Sequence, residues 1–459
     1  MRKYDYDLIV IGAGAAGLVS AYYTRGLGKK VLIVSDYKLA SKFRHDIPLK
    51  LFTDHTKTQK FAAQAYDHSA SIEKRNTLIK SLSAHTLADQ IRSSGIEVAG
   101  GYGKFSDPHT IKTGKKHFSA EIIIVATGSV PHIPDIEGIK GNTIDPDKFL
   151  SLEKLPDKIA IIGGGSAGTQ FARALSFAGK KVVLIEEKEH ILPREDREIT
   201  SKVTDKYIKE NIHIICAASI SSIVNENGKK ILTCHSSGKK HTISVDAVLL
   251  CAGRKAALDK LDLAAAGLDN ARTDRSLRTQ VPHIYMAGDA AGPWFMTAIA
   301  EERGACAAAN AFGLIKTYPR YSHTLWNTFS APNIARCGLT EEEAVARYGK
   351  RALRVYRFPF VYSLGAQIED RSEGFAKFIC RRNGQILGAH ILDKDAESLI
   401  LPVHTAHSLG IPLSKLSSVP HHFPGTADIF KQPARRCYVD TINRNPLVTL
   451  FQILLPHKR

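Results

Sequence analysis

The sequence is poor in closely spaced cysteines. Its 459 residues include seven cysteines, none of them before position 216, and no CxxC or CxxxxC pair occurs. The spacing therefore favours neither a cysteine-ligated metal site nor a local dithiol. Widely separated cysteines of odd number are most simply buried, reduced thiols of a cytoplasmic protein, and this is what we expect.

Long apolar runs are also absent. No segment reaches the roughly 20 apolar residues that a membrane-spanning helix needs. The opening apolar run, within MRKYDYDLIVIGAGAAG, leads into a glycine-rich turn and not into a signal-peptide cleavage site. We therefore predict a cytoplasmic protein without a spanning segment.

Acidic residues are outnumbered, because 45 Asp and Glu face 63 Lys and Arg, which gives a formal net charge of +18. Such an excess is compatible with nucleic-acid or membrane-surface binding. The basic residues are scattered, however, and no zinc-finger or RNP pattern accompanies them. We therefore favour an enzyme whose basic surface attracts anionic cofactors, and we predict no nucleic-acid partner. The length and the 44% hydrophobic content predict a globular α/β protein of two or three domains.

Two copies of a dinucleotide-binding pattern are present. In YDLIVIGAGAAGL an apolar strand precedes Gly12, Gly14 and Gly17, and a helix and a second strand follow. The glycines allow a tight turn, close backbone approach to a pyrophosphate and close helix–strand packing, and the helix N-terminus supplies unpaired N–H groups. The pattern recurs in KIAIIGGGSAGTQFARALSFAGKKVVLIEEKE, where the three glycines are Gly163, Gly165 and Gly168.

The residue at the end of the second strand differs between the copies. Glu186 lies 23 positions after Gly163, where a carboxylate can accept from both ribose hydroxyls. Together with Glu187 it would repel a 2′-phosphate, which favours NADH over NADPH. In the first copy the same count reaches Ser35, with Asp36 next to it, so the carboxylate is either missing or shifted by one position.

Further motifs follow in an order that resembles one flavoenzyme family. They are EIIIVATGSVPHIPDI, HILPREDREI, CAGR, TQVPHIYMAGDAAG and NTFSAPNIARCGLTEEEAVARYG. Together with the two glycine turns they are similar to the flavoprotein pyridine nucleotide-disulfide oxidoreductases, which include glutathione reductase, lipoamide dehydrogenase and mercuric reductase. The likeness extends over nearly the whole chain, and the motifs most resemble those of the mercuric-reductase-like branch.

The resemblance implies an α/β fold with two Rossmann-like domains and a C-terminal α+β dimerisation domain. The FAD domain would comprise residues 1–144 and 263–320, the NAD(P) domain 145–262, and the interface domain 321–459. It also implies a homodimer that binds FAD and NADH, with NADPH less favoured. Beyond the residues already named, it assigns cofactor contacts to Lys50, Gly103, Thr127, Gly128, Gly253, Asp289, Met296 and Thr297.

The redox-active cysteines of the family have no counterpart here. In relatives a CxxxxC motif precedes Ile-Pro-Ser-Lys, and this chain has DIPLK, which retains Ile47, Pro48 and Lys50. That alignment places Asp46 and Ser41 at the two cysteine positions. Neither oxygen can form a reversible disulfide. By the same resemblance Phe423 replaces the catalytic histidine.

Two further replacements accompany this loss. Asp428 stands where the family has the glutamate that orients the histidine, and Gln170 stands where it has a glutamate that pairs with the lysine beside the flavin. We therefore expect Lys50 to lack its charged partner. Disulfide reduction is the activity that these replacements disfavour most.

We therefore expect an FAD-dependent NAD(P)H oxidoreductase that passes electrons from reduced flavin directly to a small non-disulfide acceptor, such as a quinone or a metal ion. The catalytic candidates are Lys50, which would stabilise the reduced flavin, Asp46 as a proton relay, and Gln170. The alternative for Lys50 is an ordinary helix-surface lysine, and for Asp46 it is gap filling. The alternative function is a degenerate FAD- and NADH-binding redox sensor or membrane-partner scaffold, favoured by Ser35 and Gln170.

The C-terminal residues and two charged segments lie outside the family motifs. Residues 446–459 contain the apolar segment LVTLFQILL next to basic residues, which suits either an anionic membrane surface, with peripheral attachment on its inner face, or a helix packed on the partner subunit. His45, Asp46, Asp54 and His55 match no ligand spacing, so we predict no metal. HILPREDREI is expected to open a helix and to carry surface charges.

Overall fold

The computed structural model describes most of the chain. The described residues are 3–35, 49–54, 56, 67–85, 91, 93–269, 272–330, 332–426 and 428–443. Asp36, Asp46 and the tail 446–459, all singled out from the sequence, lie outside them. Within this part of the chain, no helix combines the length and the apolar character that crossing a membrane requires.

Strands and helices alternate around each glycine turn, and a run of consecutive strands follows each of these stretches. The strands are β1 (Tyr6–Ile11), β2 (Val31–Ser35), β3 (Glu97–Gly100), β4 (Lys104–Asp107), β5 (Thr110–Thr113), β6 (Lys116–Val125), β7 (Ser129–Pro131), β8 (Lys158–Ile162), β9 (Lys181–Ile185), β10 (His213–Ile215), β11 (Ala218–Glu226), β12 (Lys229–Ser236), β13 (Lys239–Val245), β14 (Ala247–Leu250), β15 (Arg254–Ala256), β16 (Ile284–Met286), β17 (Leu325–Thr328), β18 (Asn333–Gly338), β19 (Leu353–Pro359), β20 (Phe375–Arg381) and β21 (Ile386–Asp393). The helices are α1 (Ala15–Gly26), α2 (His68–His85), α3 (Pro146–Phe149), α4 (Ser166–Phe177), α5 (Arg197–Lys209), α6 (Thr297–Phe312), α7 (Glu341–Tyr348), α8 (Leu364–Ile368), α9 (Ala396–Leu399), α10 (Leu401–Ser408) and α11 (Asp428–Ile442). Short 3-10 turns connect several of them.

The first of two compact units comprises Met1–Gly163, Ile220–Cys234 and His241–Tyr321. Its main sheet has the order β3-β2-β1-β6-β5-β4, and β16 also pairs with β6. Strands β1, β2, β3, β6 and β16 run parallel. The run DLIVI is apolar at nearly every position because both faces of β1 are buried, as is usual in parallel sheets.

Helices α1 and α6 pack closely within this unit. The Ser20 hydroxyl on α1 donates to the Gly304 carbonyl on α6 at 2.9 Å. A Cβ at Gly304 would lie 2.4 Å from the Ala16 carbonyl oxygen, so only glycine permits this separation of the two helix backbones. This contact places the middle of α6 beside the first turns of α1. The unit also holds β8 and β14, which pair in parallel with Ile162 opposite Leu250.

The second unit comprises Gly164–Ser219, His235–Lys240 and Ser322–Arg459. It contains α4, the parallel strands β9 and β10, and α5. Its C-terminal part is an antiparallel sheet of order β17-β18-β21-β20-β19. Helices α10 and α11 cover this sheet, and their apolar residues join those of β20 and β21 in one core, for example Phe378, Ile391, Val403 and Ile429.

A buried polar cluster lies at the N-terminus of α5 in this unit. Asp196 caps the helix by accepting from Glu198 N at 3.1 Å, and its side chain is fully buried. The Lys377 ammonium, also buried, lies 2.7 Å from Asp196, 2.8 Å from Glu341 and 3.2 Å from Glu198. HILPREDREI therefore opens a helix as predicted. The prediction that its charges lie on the surface is wrong for Asp196, which is buried in the cluster, and Glu195 beside it is half-buried.

His390 on β21 belongs to the same cluster and makes stability depend on pH. Its imidazole is fully buried, and burial lowers its pKa from the usual value of 6.5 to about 4, against the opposing effect of the Asp196 carboxylate. The stability that neutral His390 provides is therefore complete above about pH 6.5 and is lost as the pH falls towards 4. A shift of this size corresponds to about 3 kcal/mol.

We expect His390→Gln to flatten this acid-side loss, because glutamine can donate to the Leu339 carbonyl that now bonds His390 Nε2 but cannot take up the proton. Urea unfolding at pH 7.5 and pH 5, followed by circular dichroism, measures the difference. The matched control is the exposed His213→Gln, which should retain the wild-type slope. Equal slopes in wild type and His390→Gln would contradict this assignment.

All seven cysteines lie in the described part of the chain and are free thiols. Five are buried, as expected from the sequence, and Cys216 and Cys251 are partly exposed.

Candidate functional site

The first glycine turn connects β1 to α1. Gly14 precedes α1 in extended conformation (φ −77°, ψ −174°), and no side chain caps the helix, so its first N–H groups are available to an anion. Gly12 has φ +111°, and a Cβ there would lie 2.3 Å from the Ala126 carbonyl oxygen. A Cβ at Gly17 would lie 2.0 Å from the Gly12 carbonyl oxygen. Gly12 and Gly17 are thus required by close backbone packing, as the motif predicts.

The other residues predicted from the first copy lie at the same edge of the sheet. Ser35 is the last residue of β2, and its carbonyl accepts from Gly101 N at 2.8 Å. Gly103 packs against β1 and β2, since a Cβ there would lie 2.9 Å from a methyl of Ile11 and 3.2 Å from one of Val34. The carboxyl ends of parallel strands are where ligands bind in open α/β sheets.

Thr127 carries an unsatisfied polar group next to this turn. Its hydroxyl is buried and has no hydrogen-bond partner among the described residues. A buried hydroxyl without a partner costs about 1–3 kcal/mol. The Cα of Thr127 would be 3.3 Å from a Cβ at Gly12, so the hydroxyl lies close to the turn. Gly128 follows with φ +76°. An orphaned hydroxyl beside an uncapped helix is what a bound dinucleotide would satisfy, and FAD fits these residues.

Asp289 is held by a hydrogen-bond network that the sequence did not indicate. The Ser129 hydroxyl donates to Asp289 Oδ2 at 2.6 Å, and Arg254 Nε donates to the Ser129 hydroxyl at 2.7 Å. Arg254 also donates to the Ser129 carbonyl at 2.7 Å. Ser129 and Arg254 lie on the antiparallel strands β7 and β15, and Gly253 precedes β15 with φ +95°. The guanidinium thus orients the hydroxyl that bonds the predicted cofactor carboxylate.

Met296 and Thr297 lie at the start of α6. Met296 is the N-cap residue, with φ −140° and ψ 140°, and no side chain caps the helix. Thr297 begins a helix of 16 residues, so a second uncapped N-terminus exists in the first unit. A Cβ at Gly288, in the turn that carries Asp289, would lie 2.7 Å from the Ala16 side chain. The structure therefore brings Asp289 and the first glycine turn together.

The second glycine turn repeats the first in backbone geometry. Gly163 has φ +103°, and a Cβ there would lie 2.4 Å from the Cys251 carbonyl oxygen. Gly165 precedes α4 with φ −73° and ψ −170°, nearly the values of Gly14, again without a side-chain cap. Gly168 is buried in the first turn of α4. The repeat predicted from the sequence is therefore present in three dimensions.

Glu186 lies at the end of β9 and is buried. Its Oε2 accepts from Gly164 N at 2.6 Å, and its Oε1 accepts from Lys188 N at 2.8 Å. Each carboxylate oxygen can accept further hydrogen bonds, so these contacts orient the group without exhausting it. Glu187 beside it is exposed. In the first copy Ser35 offers no such carboxylate.

The catalytic candidates have local partners. The Lys50 ammonium lies 3.3 Å from Asp54, one helical turn away, and both side chains are substantially exposed. The Gln170 amide nitrogen donates to the Ser166 carbonyl and hydroxyl, both at 3.0 Å. The expectation that Lys50 lacks the glutamate partner of the family stays a prediction, and Asp54 supplies a carboxylate that the sequence did not indicate. Within the described ranges no group of three or more His, Cys, Asp or Glu could hold a metal ion.

Two protein-family profiles match most of the chain. The profile described as pyridine nucleotide-disulphide oxidoreductase matches residues 6–309, and the profile of the dimerisation domain of the same family matches residues 325–434. The chain belongs to the pyridine nucleotide-disulphide oxidoreductase family. The family and the fold class predicted from the motifs are therefore confirmed.

Individual relatives cover nearly the full length. Dihydrolipoyl dehydrogenase of Chlamydia pneumoniae is 29% identical, over 94% of this chain and 96% of the relative. Glutathione reductase of Yarrowia lipolytica is 25% identical, over 92% and 97%. Among solved structures, the HOCl-induced flavoprotein disulfide reductase RclA from Escherichia coli matches with a TM-score of 0.82 and 25% identity, covering 93% of this chain and 99% of that chain.

Family membership confirms the general part of the predicted function, which is oxidoreductase activity with FAD and NAD(P)H. Members are oxidoreductases that use FAD and NAD(P)H, and the dimerisation domain supports a homodimer. The named relatives are disulfide reductases or dihydrolipoyl dehydrogenases.

Proposed function

We propose that this protein is an FAD-dependent NAD(P)H oxidoreductase whose electron acceptor is a small non-disulfide molecule, such as a quinone or a metal ion. One observation carries the proposal: every cysteine lies at or after position 216, so the segment that precedes Lys50 contains no thiol. A dithiol shuttle needs two sulfur atoms next to the flavin, and the aligned residues Ser41 and Asp46 provide oxygen only.

The remaining cysteines of the first unit are poor substitutes. Burial raises the pKa of Cys251 to about 12 and raises the pKa of Cys234 and Cys306 above the usual range for thiols. The thiolate is the form that attacks a disulfide. These three thiols therefore remain protonated at neutral pH and do not support thiol–disulfide exchange.

The chain's own residues fit the two cofactors. FAD, when bound, would accept a hydride from the nicotinamide and supply the redox chemistry. The uncapped start of α1 would bind its pyrophosphate, Asp289 would accept a hydrogen bond from a hydroxyl of its ribityl chain, and the Thr127 hydroxyl would donate a hydrogen bond to the cofactor. Glu186, already oriented by two backbone N–H groups, would accept from a ribose and favours NADH over NADPH.

Lys50 is the proposed cation beside the flavin, with Asp46 as proton relay and Gln170 as a supporting polar residue. The Asp54 carboxylate lies 3.3 Å from the Lys50 ammonium and offsets part of its charge. Exposed ion pairs of this kind contribute only about 0.3–0.5 kcal/mol, so the two side chains separate easily. Lys50 is therefore able to leave Asp54 for a stronger anionic partner. The carboxylates at Asp46 and Asp54 distinguish this segment chemically from a cysteine pair.

The test is an anaerobic titration of the purified, FAD-loaded protein with NADH, followed by turnover with menadione, a quinone, or with oxidised glutathione or lipoamide. We expect NADH to bleach the visible flavin band without a long-wavelength thiolate–flavin band, and menadione to restore it over many turnovers. A long-wavelength band, or brisk turnover of either disulfide, would reject the proposal.

A second candidate function is a redox sensor or membrane-partner scaffold that binds FAD and NADH without efficient turnover. The observation that favours it is Ser35, which places no carboxylate where Glu186 stands in the second copy. It would be peripheral to the membrane if residues 446–459 contact lipid. Flavin reduction by NADH with no turnover of menadione, other quinones, ferric salts or oxygen would select this candidate.

A further inference from the structure

Arg303 is a charged residue in an unusual position. It lies on α6, and its side chain is 1% exposed, the largest of the fully buried side chains in the described part of the protein. Moving a charged group out of water is costly unless it is fully hydrogen-bonded. A buried arginine therefore needs several acceptors in fixed positions, and the structure supplies them.

The acceptors belong to one short loop. Arg303 Nη1 donates to the Gly288 carbonyl at 2.9 Å and to the Trp294 carbonyl at 3.3 Å, and Nη2 donates to the Gly292 carbonyl at 2.5 Å. Nε donates to the Tyr321 hydroxyl at 3.1 Å. The guanidinium thus bonds the start, middle and end of the segment 288–294.

This loop needs an external support. Gly288 has φ +62° and Gly292 has φ +38°, a region that glycine enters readily but that leaves the free chain many alternatives. The loop carries Asp289, whose carboxylate accepts from the Ser129 hydroxyl on β7. Arg303 on α6 holds the backbone of the same loop by donating to its carbonyl oxygens. The Asp289 side chain and the loop that carries it are therefore each held by a separate hydrogen-bonding group.

We propose that Arg303 is a positioning residue of the flavin site, which acts by holding the 288–294 loop so that Asp289 and the start of α6 keep the shape that binds FAD. The inference rests on the proposed FAD-binding function and assigns to that site a residue outside the glycine and aspartate motifs.

The first measurement is the FAD dissociation constant of Arg303→Leu and Arg303→Lys. We expect a rise of at least about tenfold for leucine, because a tenfold change corresponds to one ordinary charged hydrogen bond. Lysine should restore part of the affinity, since it retains the charge and reaches some of the carbonyls. The control is Arg25→Leu, whose guanidinium donates to the Ser94 carbonyl at 2.9 Å, and to the Lys29 carbonyl at 3.4 Å. It should leave the dissociation constant unchanged.

The second measurement reports on the loop itself. The chain has two tryptophans, and Trp294 lies in the loop, so a Trp326→Phe background leaves Trp294 as the reporter. In FAD-free protein we expect Arg303→Leu to shift Trp294 emission to longer wavelength and to lower its anisotropy, with Arg25→Leu unchanged. A purely stabilising role would lower the melting temperature in both arginine variants without moving Trp294 emission below the transition.

The outcomes separate this proposal from the one on which it rests. Wild-type protein that binds no FAD would reject the proposed function, while the Trp294 readout would still decide whether Arg303 holds the loop. Wild-type affinity and wild-type Trp294 emission in Arg303→Leu would reject the positioning role. If the leucine variant does not fold, Arg303→Lys and Tyr321→Phe carry the same two measurements, and two unchanged values in both would reject it.

Discussion

Replacing Lys377 by methionine should destabilise the protein by about 3–5 kcal/mol, the usual result when one partner of a buried ion pair is removed. Lys377 is 2% exposed, and Asp196, 2.7 Å away, is completely buried. Methionine fills a similar volume but leaves the Asp196 carboxylate with fewer compensating charges. The neighbouring carboxylates of Glu198 and Glu341 then repel it without an intervening cation.

Thermal and urea unfolding, followed by circular dichroism, measure this effect. Lys209→Met on the exposed side of the same helix, α5, is the matched control, and we expect a change within about 0.5 kcal/mol. The double variant Lys377→Met, Asp196→Asn removes the stranded charge and should recover part of the loss. A loss below about 1 kcal/mol in the single variant would show that the cluster is not charged as described.

Replacing Gly163 by valine should leave the protein yellow but strongly slow its reduction by NADH. A Cβ at this position would lie 2.4 Å from the Cys251 carbonyl oxygen, and valine does not adopt φ +103°. The turn must therefore distort, which moves the first N–H groups of α4 away from the pyrophosphate. We expect the rate of flavin reduction at limiting NADH to fall by at least about 100-fold. This corresponds to the loss of about 2.8 kcal/mol of NADH binding free energy, at about 1.4 kcal/mol for each factor of ten in affinity.

The control for backbone strain is Gly179→Val, where φ is +74° but a Cβ would meet nothing within 4 Å. This variant should be reduced by NADH at a nearly normal rate, although it is less stable. Stopped-flow absorbance measures both, and flavin content per chain shows that the FAD site is intact. Normal reduction of Gly163→Val would exclude the second glycine turn as the NADH site.

The sequence was sufficient for the elements that depend on local pattern. The apolar run before Gly12 forms β1, the helix after it forms α1, and the repeat around Gly163 has the same backbone geometry. These features follow from side-chain periodicity and from the φ values that only glycine adopts easily, so a single segment contains all the information. The division into domains at residues 144, 262 and 320 stays a prediction.

The residues that the sequence did not indicate are those whose partners are distant in the chain. Ser129 meets Asp289 from 160 positions away, and Asp196 meets Lys377 from 181 positions away. HILPREDREI has the composition of a surface helix, but Asp196 within it is buried and pairs with Lys377 on β20. Arg303 gives no sign in the sequence because three of its four partners are backbone carbonyls, which every residue has.

The contacts of α4 and α5 have a consequence for how the chain opens. Arg173 on α4 donates to the Ser330 carbonyl at 2.9 Å, and Thr328 donates to Ser166 at 3.0 Å, so residues near 170 and near 330 are joined, as are Asp196 and Lys377. Amide protons in α5 and in β20 should therefore exchange with solvent through one shared opening event, with the same free energy. Fragments cut between residues 219 and 322 would separate the halves of that cooperative block, and neither half would retain its native protection.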